Sequence, residues 1–185
     1  MSSPRIIAGK ARGIRIESVP GNITRPITDR VKEALFNILG NDIIDADFLD
    51  LFGGTGSVGL EALSRGARFV RFVDNHRMAI SIIKENLQKT RLGTNAEILT
   101  FDAFKYISGS ADLSFDYIFI APPQYKGIWE KILIKINENI KWLHNEGWVI
   151  VQIDPLEYSE HNLDNLREFD QRKYSNTLLV FYERT

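Results

Sequence analysis

The sequence predicts an α/β fold in which a mostly parallel sheet is covered by helices and ends in an antiparallel hairpin. From residue 48 onward, apolar runs of strand length alternate with segments of helical spacing, and this alternation is typical of a parallel sheet. A glycine-rich turn, Gly53-Gly54-Thr55-Gly56, follows the first such strand and opens a helix. The last two apolar runs are joined only by Ser175-Asn176, a gap too short for a crossover helix, so we expect them to pair antiparallel.

The N-terminal part precedes this alternation. Arg5–Ala8 and Ile14–Glu17 flank a glycine-punctuated segment, which predicts a β-hairpin. A turn is predicted over 19–22. Thr28 is then the predicted start of a helix that ends before Gly40, since a hydroxyl cap precedes the first turn and a glycine follows the last. An apolar stripe at helical spacing supports this helix: Val31, Ala34, Leu35, Ile38 and Leu39.

The remaining elements follow from periodicity. Strands are predicted at 48–52, 69–73, 96–100, 115–120 and 148–153, and in the tail at 167–174 and 177–183. Helices are predicted at 57–65, 77–91, 103–108 and 127–144. Because no long linker interrupts the pattern, we expect one domain over 1–185, with an N-terminal extension over 1–24 and a catalytic core over 25–185.

Composition excludes several classes of protein. The 185 residues fit one domain with a sizeable core, and the 44% hydrophobic and 25% charged content is ordinary for a globular protein. The absence of cysteine excludes disulfides and Cys-based zinc, and with three histidines we expect no metal site. No run approaches membrane-spanning length, and the N-terminus lacks the apolar core of a signal peptide. We therefore expect a cytoplasmic monomer with no membrane partner.

The charge is unevenly distributed. The net charge of −1 argues by itself against a nucleic-acid partner. Within residues 1–15, however, four basic residues occur without any acid: Arg5, Lys10, Arg12 and Arg15. This basic arm either contacts RNA or is a solvated tail, and charge alone leaves both open.

Carboxylates lie at the ends of three successive predicted strands. Asp50 precedes the glycine turn, Asp74 ends the second strand about 20 residues on, and Asp102 ends the third. The turn alone would also fit NAD(P) or FAD. S-adenosylmethionine is favoured because Asp50 suits an ammonium better than a pyrophosphate, because Asp102 lies where an adenine amine would reach, and because the terminal hairpin is typical of methyltransferases.

Three segments carry a more specific resemblance: 5–13 (RIIAGKARG), 24–39 (TRPITDRVKEALFNIL) and 50–66 (DLFGGTGSVGLEALSRG). In these the chain resembles the RsmD-type 16S ribosomal RNA guanine-N2 methyltransferases. The resemblance implies a Rossmann-like class I S-adenosylmethionine-dependent methyltransferase fold with a seven-stranded sheet. It also implies methyl transfer to the exocyclic amine of a guanine in 16S rRNA, within the small subunit or its assembly intermediate.

The resemblance also implies roles for individual residues. It assigns the methionine part to Asp50, Gly53, Gly54 and Gly56, with Phe52 beside them. It assigns the ribose to Asp74 with Asn75, and the adenine to Asp102 with Ala103. The helix start with Thr28 and Arg30 would lie over the cofactor, and the four basic hairpin residues would contact RNA phosphates.

The substrate loop departs from the family pattern. The usual sequence is Asp-Pro-Pro followed by Tyr or Phe, whereas this chain has Ala121-Pro122-Pro123-Gln124-Tyr125. Ala121 cannot accept a hydrogen bond from the guanine amine, and Gln124 stacks poorly on a base. Pro122 could present its carbonyl instead, Gln124 could supply the acceptor, and Tyr125 could supply the ring if the loop shifts.

Four functions are therefore weighed. The first is an active rRNA methyltransferase with a rearranged loop. The second is an RNA- or ribosome-binding homologue with weak or lost catalysis because Ala121 replaces the usual Asp. A small-molecule or protein methyltransferase is disfavoured by the basic hairpin, and an NAD(P) oxidoreductase is a distant fourth.

Overall fold

A computed structural model describes residues 4–19 and 27–185. Its seven strands form one sheet in the order β3-β2-β1-β4-β5-β7-β6. They are β1 Asp47–Leu51, β2 Phe69–Asp74, β3 Ala96–Thr100, β4 Phe115–Ile120, β5 Leu143–Ile153, β6 Leu166–Tyr174 and β7 Thr177–Arg184. The helices are α1 Asp29–Leu39, α2 Ser57–Arg65, α3 Arg77–Thr90, α4 Ala103–Ser108 and α5 Ile128–Glu138.

The first five strands pair in parallel, and β7 pairs antiparallel with both β5 and β6. The predicted seven-stranded sheet with an antiparallel C-terminal hairpin is therefore confirmed. The central strands are apolar on both faces because each face has its own core. Phe48 and Phe119 belong to one core cluster with α1 to α3, whereas Leu49 and Ile118 belong to the other with α4 and α5.

Helix α1 begins as predicted. The Thr28 hydroxyl accepts a hydrogen bond from the Val31 N–H at 3.3 Å, and Gly40 ends the helix with a φ of 57°. The turn predicted over 19–22 lies outside the described residues except for Val19, and residues 24–26 of the second matched segment lie outside them as well.

The helix predicted over 127–144 is too long, since α5 ends at Glu138 and β5 already begins at Leu143. Apolar residues continue the helical spacing past the true end. The chain leaves the helix because the Asn139 side-chain amide donates to the carbonyls of Ile107 and Gly109, at 3.0 and 2.7 Å. The Trp142 indole donates to the same Ile107 carbonyl at 3.0 Å. These contacts with the end of α4 cannot be read from local periodicity.

The N-terminal hairpin forms, but with one antiparallel bridge, Arg5 to Arg15, and no regular strands. Some of its backbone groups bond across the hairpin, such as the Ile6 N–H to the Ile14 carbonyl at 2.9 Å, and others bond to α2. The N–H groups of Ile7 and Ala8 donate to the Glu61 carboxylate at 2.8 and 3.0 Å. A Cβ at Gly9 would lie 1.8 Å from the Ser64 carbonyl oxygen, so this close approach requires glycine.

A buried ion pair joins the hairpin, α1 and α2. Lys32 and Glu61 are both fully buried, with Nζ 3.6 Å from Oε2. The Lys32 ammonium also donates to the Arg5 carbonyl at 2.6 Å and to the Ser57 hydroxyl at 2.8 Å. Burial lowers the pKa of Lys32, although the Glu61 carboxylate acts in the opposite direction. Removing Glu61 would leave the Lys32 ammonium buried without a carboxylate, whereas Glu61 without Lys32 would keep its ion pair with Arg65 Nε at 2.8 Å.

Across residues 4–19 and 27–185, no helix is long and apolar enough to cross a membrane.

Candidate cofactor and substrate cavity

A cavity of about 560 Å³ opens at the carboxyl edge of the sheet, around the ends of β1, β2 and β4. This is the edge at which ligands bind in open parallel α/β sheets. It brings together two groups of predicted site residues that are far apart in the sequence. From the cofactor group it is lined by Asp50, Phe52, Gly53, Gly54, Asp74 and Asn75, and from the loop by Ala121, Pro122, Pro123 and Gln124.

The glycine turn is shaped by left-handed backbone and by close packing. Phe52 and Gly54 have φ of 68° and 56°, and the Phe52 N–H donates to the Val73 carbonyl at 2.9 Å. A Cβ at Gly59 would lie 2.3 Å from Phe72 Cε1. Gly59 therefore allows α2 to pack closely on the sheet.

Asp50 is a buried carboxyl in the wall of the cavity. It is 2% exposed, and its Oδ2 accepts a hydrogen bond from the Gly59 N–H at 3.0 Å. Burial raises the pKa of Asp50 to about 8, with a smaller rise from Asp74 and an opposing effect of the Gly59 hydrogen bond. A ligand cation would favour the ionised form, so the site suits an ammonium group.

Asp74, at the end of β2, links this strand to the glycine turn through side-chain hydrogen bonds. Its two carboxylate oxygens accept the N–H groups of Gly54 at 2.9 Å and His76 at 2.8 Å. A carboxylate has about four lone-pair positions, so two remain for further donors such as a pair of hydroxyl groups. The residue therefore orients the turn and can still hold a diol.

Five predicted cofactor residues do not line the cavity: Thr28, Arg30, Gly56, Asp102 and Ala103. Asp102 caps α4 by accepting the Lys105 N–H at 2.9 Å, and the Thr28 hydroxyl caps α1. Gly56 begins α2 with a φ of 76°. Arg30, in the first turn of α1, is exposed.

The loop after β4 divides into two parts. Ala121 to Gln124 line the cavity, whereas Tyr125 does not and is 64% exposed. The Tyr125 N–H donates to Glu157 Oε1 at 2.6 Å, and its φ is 59°. This contact holds the Tyr125 backbone at the outer end of the loop, so in this conformation its ring does not take the position of a base-stacking aromatic inside the cavity.

Sequence reasoning missed several polar residues of the cavity, among them His76, Lys126 and Gln152. Gln152 is 8% exposed, and neither its Oε1 nor the His76 Nδ1 has a hydrogen-bond partner among the described residues. A signal was present for Gln152, because it interrupts the apolar run of β5 with an amide. A polar side chain inside a buried strand requires an explanation.

The basic hairpin presents its charges to solvent. Arg5 pairs with Asp29 at 3.0 Å, and both side chains are substantially exposed. Lys10, Arg12 and Arg15 are exposed, and no ion pair joins them to an acid in the described part of the chain. The structure therefore leaves three cations on this arm available to an anionic partner.

A second polar group lies at the opposite edge of the sheet. Ligand atoms of Asp47, Asp116 and His144 lie within 4.8 Å of one another. Two of these residues have structural partners, since Arg68 Nε donates to Asp47 at 2.9 Å and the Asp47 N–H donates to Asp116 at 2.7 Å.

Comparison with known proteins adds three findings. Residues 4–183 match the family described as conserved hypothetical protein 95. The Ribosomal RNA small subunit methyltransferase D of Escherichia coli K12 is 34% identical over 148 residues, covering 80% of this chain and 73% of the relative. The solved structure of the Escherichia coli protein yhhF has a TM-score of 0.88 at 29% identity, covering 99% of this chain and 98% of that one.

A more distant structure shares the fold alone. SMU.776, solved in complex with SAH, has a TM-score of 0.67 at 19% identity and covers 84% of this chain and 48% of its own. The sheet order and these likenesses together identify the Rossmann-like methyltransferase fold.

Proposed function

Because the chain belongs to the RsmD-type family, described as conserved hypothetical protein 95, we propose that it methylates small-subunit ribosomal RNA with S-adenosylmethionine. We further propose that the acceptor is the exocyclic N2 amine of a guanine in 16S rRNA. The relative named above carries the small-subunit rRNA activity in its name. The assignment of the guanine amine as acceptor is the more specific proposal, and it rests on the loop that follows β4.

One observation carries the proposal: a single cavity joins the glycine turn, Asp50 and Asp74 to the Ala121–Gln124 loop. Its volume of about 560 Å³ lies within the usual range of ligand sites, roughly 300–1,000 Å³. A cofactor bound at the turn and a base entering at the loop would therefore meet.

The residues present suit S-adenosylmethionine. The buried Asp50 carboxyl offers a counter-charge for the ammonium of the methionine part, and Asp74 retains acceptor capacity for the ribose hydroxyls. When bound, the cofactor supplies an electrophilic methyl group on a sulfonium centre. We propose that Asp102 and Ala103 contact the adenine. We also propose that the helix start with Thr28 and Arg30 lies over the cofactor.

The protein's own contribution is to bring a guanine to this point. A base inside a folded RNA must leave its stack before its amine can enter a closed cavity. Pro122 and Pro123 have no backbone N–H to donate, so their carbonyls accept without offering a competing donor. We propose that Arg5, Lys10, Arg12 and Arg15 hold the RNA backbone outside the cavity by contacts with phosphates.

The competing function is an RNA-binding homologue with weak or lost catalysis. The observation that favours it is Ala121, which places a methyl group where the family pattern has a carboxylate. We propose for either function that residues 1–185 form a single cytoplasmic domain that acts as a monomer, with 1–24 as its RNA-binding extension and 25–185 as its Rossmann-like core.

The experiment is transfer of labelled methyl from S-adenosylmethionine to unmodified small subunits, naked 16S rRNA and control DNA. The modified nucleoside is then identified by mass spectrometry. We expect label in N2-methylguanosine of 16S rRNA and none in DNA. Label at another atom would refute the amine assignment. Cofactor binding without transfer to any of the three would favour the non-catalytic homologue.

A further inference from the structure

We infer that Gln152 holds the exocyclic amine of the incoming guanine, accepting a hydrogen bond from it through the side-chain amide oxygen. In this chain the acceptor absent at Ala121 would thus be supplied from the neighbouring strand. The inference rests on the proposed function and assigns a substrate contact to a residue outside the loop.

The strand register places Gln152 beside Ala121. Ile120 of β4 is paired with Val151 of β5, so the next residue of each strand lies side by side where β4 ends. Side chains alternate along a strand. Ala121 therefore shares a face with Phe119, and Gln152 shares that face with Ile150; Phe119 and Ile150 belong to one core cluster, against which Ala121 also packs.

The same face carries Asp50, because Asp50 is paired with Phe119. Three neighbouring strands therefore contribute Asp50, Ala121 and Gln152 to one cavity wall. Asp50 lies on the cofactor side of this row and Gln152 on the far side of Ala121. An acceptor at Gln152 would face a base that enters over the loop.

The buried side-chain oxygen of Gln152 has no hydrogen-bond partner among the described residues. The residue is 8% exposed. Its neighbours Val151 and Ile153 are buried in the other core. Buried polar groups are nearly always hydrogen-bonded, so an unpaired amide oxygen on a residue that lines the cavity points to a donor that arrives with a ligand.

The chemistry of the amide matches the edge of a guanine. Its oxygen can accept from the exocyclic amine, and its NH2 group can donate to an acceptor on the same base. A neutral amide is a weaker acceptor than a carboxylate. It does not titrate, so it leaves the charge balance around Asp50 unchanged.

The test is the variant Gln152→Met, which keeps the length of the side chain and removes both polar atoms. Single-turnover methyl transfer to unmodified small subunits, the dissociation constant of S-adenosylmethionine and thermal unfolding are measured together. We expect transfer to fall by about 10²-fold, the usual loss for one positioned hydrogen bond, while cofactor affinity stays within about twofold. Stability should hold or rise, because an unpaired buried polar group is removed. Gln88→Met on the exposed side of α3 is the matched control and should change none of the three.

Two further variants separate an acceptor from a packing residue. Gln152→Glu should add a rising limb to the pH dependence of transfer, since the ionised carboxylate is a stronger acceptor for the amine than the protonated carboxyl. Adding Ala121→Asp to Gln152→Met should restore at least about tenfold of the loss, because the new carboxylate replaces the missing acceptor.

The outcomes are distinguishable. If the wild type transfers methyl and Gln152→Met transfers it equally fast, this inference is refuted and the proposed function is unaffected. This inference is also refuted if Gln152→Met is slower but Ala121→Asp does not restore the transfer rate. The same holds if the affinity of Gln152→Met for S-adenosylmethionine falls by the same factor as its transfer rate. No transfer by the wild type overturns the proposed function and this inference with it. If Gln152→Met does not fold, the pH profile of Gln152→Glu tests whether residue 152 accepts the hydrogen bond; a profile without the rising limb would refute the inference.

Discussion

Replacement of Asp50 by Asn tests the electrostatics of the cavity in the ligand-free protein. Asp50 is 2% exposed, and burial raises its pKa from 3.8 to about 8. Because the pKa in the folded state lies above that in the unfolded state, the carboxyl contributes stability below about pH 4, and this is lost as the pH rises through 8. The amide of Asn does not ionise and can still accept the Gly59 N–H.

The magnitude follows from the shift. The difference between 8 and 3.8 is about four pH units, and at 1.36 kcal/mol for each the full effect is roughly 6 kcal/mol. Asp50→Asn should therefore raise the free energy of unfolding by up to that amount at pH 9, by about half at pH 6, and by little at pH 4. Since whole domains are stable by only about 5–15 kcal/mol, the wild type should weaken visibly in alkali.

The assay is urea denaturation of the ligand-free protein at intervals from pH 4 to pH 9. Asp45→Asn is the matched control, because Asp45 is an exposed carboxylate in a left-handed conformation that Asn tolerates. The control should follow the wild type at every pH. Parallel curves for wild type and Asp50→Asn would refute the account of Asp50 as a carboxyl destabilised by burial.

The remaining predictions concern ligands. Asp74→Ala should weaken S-adenosylmethionine binding by roughly 1.5–3 kcal/mol, the scale of charged hydrogen bonds, and unchanged affinity by calorimetry in a folded variant would remove the ribose assignment. Neutralising Lys10 and Arg12 should weaken RNA binding and lower its salt slope by about one unit for each phosphate that is no longer bound, whereas an unchanged slope would make the hairpin a solvated tail. Ala121→Asp combined with Gln124→Tyr should raise the single-turnover methyl-transfer rate; a rate equal to wild type would mean that the present loop, or the loop together with Gln152, already supplies both the acceptor and the stacking ring.

Local signals predicted much of the fold. The alternation of strand and helix patterns indicated the parallel sheet, and the short Ser175-Asn176 connection indicated the terminal hairpin, because a two-residue gap allows no other pairing. Thr28 and Gly40 marked α1 correctly. Each of these signals depends on residues within a few positions of one another.

Part of the site could be predicted in the same way. Asp50, Asp74 and the glycine turn line one cavity because parallel strands end at the same edge of the sheet. Their positions at the ends of successive strands therefore predict that these residues lie close together in the folded protein. Asp102 follows the same rule along the chain, yet its carboxylate caps α4 and lies outside the cavity lining.

Tertiary structure alone decided the rest, because the deciding interactions join distant parts of the chain. The Ala8 N–H meets Glu61 across 53 residues, which is why the hairpin lies on α2 and not in a longer ladder. The local sequence would place Lys32 on the exposed side of an amphipathic helix. In the folded protein it is buried, because its ammonium contacts the Glu61 carboxylate and the Arg5 carbonyl. Gln152 became a site residue only when the β4–β5 register set it next to Ala121. Sequence periodicity reports which side of an element is apolar, whereas the partner of a buried polar group depends on how whole elements pack.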